Sequence, residues 1–122
     1  MQIFANIMVA LVAIQHLYIL VLEMFMWQKP LGRKTFRMSA EQAKATAVLA
    51  ANQGLYNGFL AAGLIWSLLY PSDFTGRHLA LFFLGCVVLA ACYGGATVGR
   101  KILMIQGVPA LIALAATLLW SP

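Results

Sequence analysis

Charge is what this sequence has least of. Only 9% of its 122 residues are Asp, Glu, Lys or Arg, against about 25% in an ordinary soluble domain. Hydrophobic residues make up 63%, and the mean hydropathy is +0.89. A soluble fold of this size has no interior large enough to hide that much apolar surface, so the composition describes one integral membrane domain over residues 1–122. Acidic residues are scarcest, 3 against 8 Lys and Arg. That surplus is not a nucleic-acid footprint, because no base-reading or stacking context accompanies it. Cysteine is also sparse. Cys86 and Cys92 share one apolar run, and six helical residues separate them by about 9 Å of rise with the thiols turned apart. The pair therefore reads as small apolar packers, outside disulfide geometry and outside any metal-type spacing. Missing too are a nucleophile elbow, an HxxxH or ExxH metal motif and a phosphate loop, which leaves no catalytic signature.

What the sequence does have is four long apolar runs, at about residues 2–27, 46–70, 77–98 and 102–120. Each reaches the roughly 20 residues a helix needs to cross a bilayer core. The expected fold class is all-α: a polytopic membrane protein, a four-transmembrane-helix bundle. The first run lacks a basic n-region and is too long for a signal-peptide core, so it reads as a retained helix. Between the first two runs lies a basic loop, about 28–39. Ser39 with Gln42 resembles a capping box, which starts the second helix near residue 40, ahead of its apolar run. "YPSDFTGR" (70–77) reads as a tight turn, and "GRK" (99–101) as a short hinge. Lys29, Arg33, Lys34, Arg37 and Lys44 cluster after the first run, and Arg100 with Lys101 after the third, whereas the second loop has only Arg77. By the positive-inside rule the first and third connections face the cytoplasm and both termini face outside.

The buried polar residues can be ranked by depth, at 1.5 Å per residue. Glu23, Asn52, Gln53, Tyr93 and Gln106 fall roughly 6–10 Å below the cytoplasmic boundary, and His16 and Asn57 near about 16 Å. A carboxylate within a span costs about 2.5–3.5 kcal/mol on insertion scales, less near the interface, and such groups face the interior and find partners. His16 lies two turns before Glu23 on the same face, about 10 Å away along the axis, so the two line one cavity without bonding directly.

Helix two separates into three rows. Ala50, Gly54, Gly58 and Ala62 form a small-residue edge that admits a neighbouring backbone. Gln53 with Asn57 and Asn52 with Tyr56 form two polar edges. Similar small rows recur as Ala91, Gly95 and Gly99, and as Gln106, Ala110, Ala113 and Thr117, where Pro109 is expected to kink helix four.

The blocks "LEMFMW", "NQGLYNGFLAAGL" and "QGVPAL" together resemble the small bacterial membrane-protein family labelled Domain of Unknown Function 1304. The resemblance runs over essentially the whole chain. It takes in His16, Glu23, Asn52, Gln53, Gly54, Tyr56, Asn57, Tyr93, Gly94, Thr97, Gln106, Gly107, Pro109 and Ala110. It implies a four-helix, multi-pass protein of the bacterial inner membrane and carries no assigned activity.

Several functions stay open at this point. The first is binding of an amphiphile (a lipid, a quinone or a hydrophobic cation) in a cytoplasm-side polar pocket. Its ligand-binding residues would be Glu23, His16, Asn52, Gln53, Tyr56, Asn57, Tyr93 and Gln106. The second is a proton-coupled transporter or channel subunit acting as an oligomer, with Glu23 and His16 as relay groups. An enzyme with Glu23 or His16 as base ranks lower, for want of any motif. The fourth is a structural or assembly partner whose polar groups are packing glue. Membrane lipids are expected partners, and the glycine-rich faces suit a homo-oligomer.

Overall fold

The computed structural model describes all residues, 1–122, and contains helices and no strands. Helix α1 runs Gln2–Phe25, α2 Pro30–Thr35, α3 Ala40–Leu69 and α4 Asp73–Thr97. A final run holds α5 (Arg100–Ile102), a π-helical turn (Leu103–Gly107) and α6 (Val108–Leu119). Three helical stretches are long and apolar enough to span a membrane: Gln2–Phe25, Asp73–Thr97 and Arg100–Leu119. The 30-residue α3 is long enough but not among them, since its first two-thirds carries Glu41, Gln42, Lys44, Asn52, Gln53 and Asn57.

The element ends follow local chemistry. The capping box expected at α3 forms in full: the Gln42 N–H donates to Ser39 Oγ at 3.1 Å, and the Ser39 N–H donates to Gln42 Oε1 at 3.0 Å. The basic loop holds a helix that the sequence did not suggest, α2, started by Pro30 in its first turn. Gly32 permits this helix, because a Cβ there would collide with the Met26 carbonyl. The turn after α3 is shorter than "YPSDFTGR" implied. Ser72 Oγ accepts from the Thr75 N–H at 3.4 Å, which caps α4 and starts it at Asp73. Ahead of Pro109, helix four departs from α geometry through the π turn; a proline supplies no N–H to the regular ladder.

The chain divides into two compact units, each built partly from α1 and α3. Unit 1 comprises Met1–Ile14 and Leu60–Pro122. Its core joins Val9, Val12 and Ala13 of α1, Leu64 of α3, Ala80, Leu84 and Val87 of α4, and Ala110 and Ala113 of α6. Alanine and glycine keep these helices close: a Cβ on Gly63 would run into the Phe83 ring, and one on Gly76 would sit 2.6 Å from the Ser67 carbonyl oxygen. The face of helix four formed by Ala110, Ala113 and Thr117 is buried, with Gln106 half-buried. Unit 2, Gln15–Phe59, holds the second half of α1, α2 and the first two-thirds of α3.

Candidate functional site

In unit 2 the small-residue edge of α3 sets the distance to α1. A Cβ on Gly54 would lie 2.7 Å from Met24 Cγ and 3.1 Å from Glu23 Cβ, and one on Gly58 2.6 Å from Leu20 Cδ1. The face of α1 turned to α3 is therefore Leu20, Glu23 and Met24, spaced three and four residues apart as one helical face requires. That approach lets Asn57 Nδ2 donate to Glu23 Oε1 at 2.7 Å, across 34 residues of chain. Glu23 is only 6% exposed, so the amide supplies a hydrogen bond that water does not. His16, on the same face of α1, is 1% exposed.

Beyond this pair, toward α2, unit 2 has an open-sided cavity of about 480 Å³, five of whose nine lining residues (Phe36, Arg37, Gln42, Leu49 and Gln53) are exposed. Its walls are Trp27, Phe36, Met38, Leu49 and Ala50, and its polar groups are Arg37, Gln42, Thr46 and Gln53. The α3 members recur at 42, 46, 49, 50 and 53, one helical stripe about 16 Å long. Trp27 is held in place twice. Its Nε1 donates to Thr46 Oγ1 at 3.0 Å, and its ring lies 4.8 Å from that of Phe36 at 44°. Thr46 in turn donates to the Gln42 carbonyl at 2.7 Å.

Arg37 enters the cavity wall by an unusual route. Phe36 caps α2, and Arg37 follows it with φ 52°, in the left-handed region. The Met38 N–H then donates to the Arg33 carbonyl at 2.9 Å, the six-to-one bond of a Schellman ending. Glycine is the usual residue at that position, and Arg37 is the one non-glycine residue in the chain with positive φ.

The eight residues singled out from the sequence are distributed as follows. Glu23 and Asn57 meet directly, His16 is buried on α1 and lies outside the cavity lining, and Gln53 lines the cavity. Asn52 and Tyr56 have exposed side chains, and the Tyr56 ring stacks tilted against Phe59 at 5.9 Å. Tyr93 and Gln106 belong to unit 1, where Tyr93 is 74% exposed and Gln106 sits in the π turn. Not singled out were Trp27, Phe36, Arg37, Met38, Gln42 and Thr46. Part of that signal was present in the sequence: Gln42, Thr46, Gln53 and Asn57 continue one row, at steps of 4, 7 and 4.

Unit 1 has a smaller polar chamber of about 40 Å³ among Gln2, Asn6, Ser67, Asp73, Arg77 and Trp120. Here Arg77 completes the end of α6. Its Nε donates to the Thr117 carbonyl at 3.0 Å and its Nη2 to the Leu118 carbonyl at 3.1 Å, which satisfies two carbonyls left over at a helix C-terminus.

The chain matches the family model described as "Protein of unknown function (DUF1304)" over residues 10–118. An uncharacterized protein, YpaA, of Lactococcus lactis is 34% identical over 116 residues, 93% of this chain and 96% of that protein. No solved structure matches it. The matched span includes His16, Glu23, the Asn52–Asn57 block, Tyr93 and Gln106, the residues on which the resemblance was read. With nearly nine-tenths of its length inside that model, the chain belongs to the DUF1304 family.

Proposed function

We propose that the protein crosses the bacterial cytoplasmic membrane four times, with both termini outside, and binds an amphiphilic molecule in the unit 2 cavity at the cytoplasmic side. The observation that carries this reading is the cavity itself. Its volume lies within the roughly 300–1,000 Å³ of small-molecule sites. Five apolar residues wall it, and four polar side chains give a head group something to bond. It adjoins the segment with five Lys and Arg, which the positive-inside rule places in the cytoplasm, at the level of the lipid head groups. The Glu23–Asn57 pair favours a second role beside it. An amide–carboxylate bond between α1 and α3 pins α3, which supplies five of the nine lining residues, to its neighbour, which makes the pair a structural support for the site.

The test is thermal stability of the purified full chain in a nonionic detergent, with single-chain amphiphiles added. A ligand that binds only the folded state raises the melting temperature as its concentration passes Kd. The expected result is a saturable rise in wild type that is lost in Leu49→Trp, which obstructs the open side of the cavity. Equal rises in wild type and Leu49→Trp would count against the cavity as the site.

A further inference from the structure

We infer that the cavity selects an anionic head group, a phosphate ester or a free carboxylate, and that Arg37 is the residue that recognises it. This rests on the amphiphile-binding reading and narrows it. Arg37 is the only charged residue among those lining the cavity. No carboxylate lines it: Glu23 is bonded to Asn57, and Glu41 is exposed on the first turn of α3. A cationic head would therefore meet a like charge there and find no counter-charge. An anion would meet a guanidinium, whose planar fork matches a phosphate or carboxylate in two parallel hydrogen bonds.

The neighbouring donors agree with this. Gln42 Oε1 already accepts from the Ser39 N–H, and its amide nitrogen offers the cavity two N–H donors. Thr46 Oγ1 already accepts from Trp27 and donates to its own helix.

Backbone conformation separates this reading from that of an ordinary solvated arginine. At the position after a helix cap, glycine adopts the left-handed conformation without penalty, whereas a side chain costs about 1–2 kcal/mol. The chain places Arg at this position, φ 52°, and the strained residue borders a cavity. Strain of this kind is characteristic of binding sites, where the surrounding structure holds it. The turn and the ligand therefore make opposite demands on residue 37: the fold alone is better served by glycine, and the anion by arginine.

That opposition gives the test. Wild type and Arg37→Gly, as full chains in nonionic detergent, are titrated with decyl phosphate, decyltrimethylammonium and inorganic phosphate, and read by melting temperature and Trp fluorescence. Wild type is expected to bind decyl phosphate at least about tenfold more tightly than decyltrimethylammonium, the effect of a charge-assisted bond. Arg37→Gly is expected to melt no lower than wild type without ligand, and to bring the two amphiphiles within about twofold of each other. If both amphiphiles bind wild type equally, or if Arg37→Gly keeps the preference, the anion inference fails while amphiphile binding stands. If inorganic phosphate binds as tightly as decyl phosphate, anion recognition stands and the amphiphile reading fails. If neither amphiphile nor phosphate binds, both fall.

Discussion

Of the three acidic residues, Glu41 and Asp73 are exposed at helix starts, and Glu23 alone is buried. Its partner Asn57 is therefore the residue whose loss should be felt most directly. Asn57→Ala and Glu23→Ala each remove one side of a bond between α1 and α3; the first leaves a buried carboxyl without it and the second a half-buried amide. We expect single costs of about 1–2 kcal/mol in mixed-micelle unfolding, and a double mutant less costly than the sum by about 1 kcal/mol, within the range seen for membrane hydrogen bonds. Additivity to within about 0.5 kcal/mol would show that the bond carries no coupling. Both members of this pair were legible in the sequence as buried polar residues, but their pairing was not. Depth placed Glu23 in the layer of Gln53, and Asn57 about one turn deeper than Gln53. Nothing in the sequence marks where the polar extension of α3 stops, and each turn of error moves a residue by about 5.4 Å. Arg37 was legible only as a basic loop residue, because its φ depends on how α2 ends, and α2 itself was read as loop.

Among the elements, α3 shows how a spacing rule succeeds and then drifts. Its row of small residues every four positions correctly marked Ala50 and Gly54 as a packing edge, but Ala62 at the end of the row is exposed, while Ala61, Gly63 and Leu64 are buried. Four residues turn a helix by about 400°, so a strict four-residue row rotates by about 40° at each step and leaves the contact. The glycines along these contacts are not equivalent. A Cβ at Gly76 meets backbone, the Ser67 carbonyl oxygen at 2.6 Å, and α3 and α4 cannot both stay in place around it. A Cβ at Gly58 meets only the far end of a leucine, Leu20 Cδ1, whose γ carbon is 4.0 Å away and free to rotate. Gly76→Ala should cost about 1–3 kcal/mol by overpacking. Gly58→Ala should lie near zero or stabilise, since alanine is the better helix former by about 1 kcal/mol. Equal melting temperatures for the two variants would contradict this assignment.

Whether α3 crosses the bilayer decides the topology of the molecule as a whole. Three helical stretches meet the length and hydropathy of a span, and α3 does not. If α3 lay along the surface, the chain would cross three times and its termini would lie on opposite sides. With α3 crossing, it crosses four times and both termini share a side. The charge distribution argues for crossing. The loop before α3 holds Lys29, Arg33, Lys34 and Arg37, and that after α4 is followed by Arg100 and Lys101, whereas the turn between α3 and α4 is followed by the single Arg77, whose guanidinium is spent on the Thr117 and Leu118 carbonyls. Two basic ends flanking one nearly neutral turn is the pattern of a hairpin inserted from the cytoplasm. The low hydropathy of α3 is offset in part, because Asn57 is turned inward onto Glu23, whereas Asn52 and Gln53 remain exposed. Single cysteines placed in a Cys86→Ser, Cys92→Ser background test it in intact cells with a membrane-impermeant maleimide. Asp73→Cys should label from outside, and Lys34→Cys and Lys101→Cys only after the membrane is opened. Tags on the two termini should both be reached from outside. A C-terminal tag reached from outside with an N-terminal tag shielded would mean an odd number of crossings, and labelling of Lys34→Cys in intact cells would put the cavity on the opposite face.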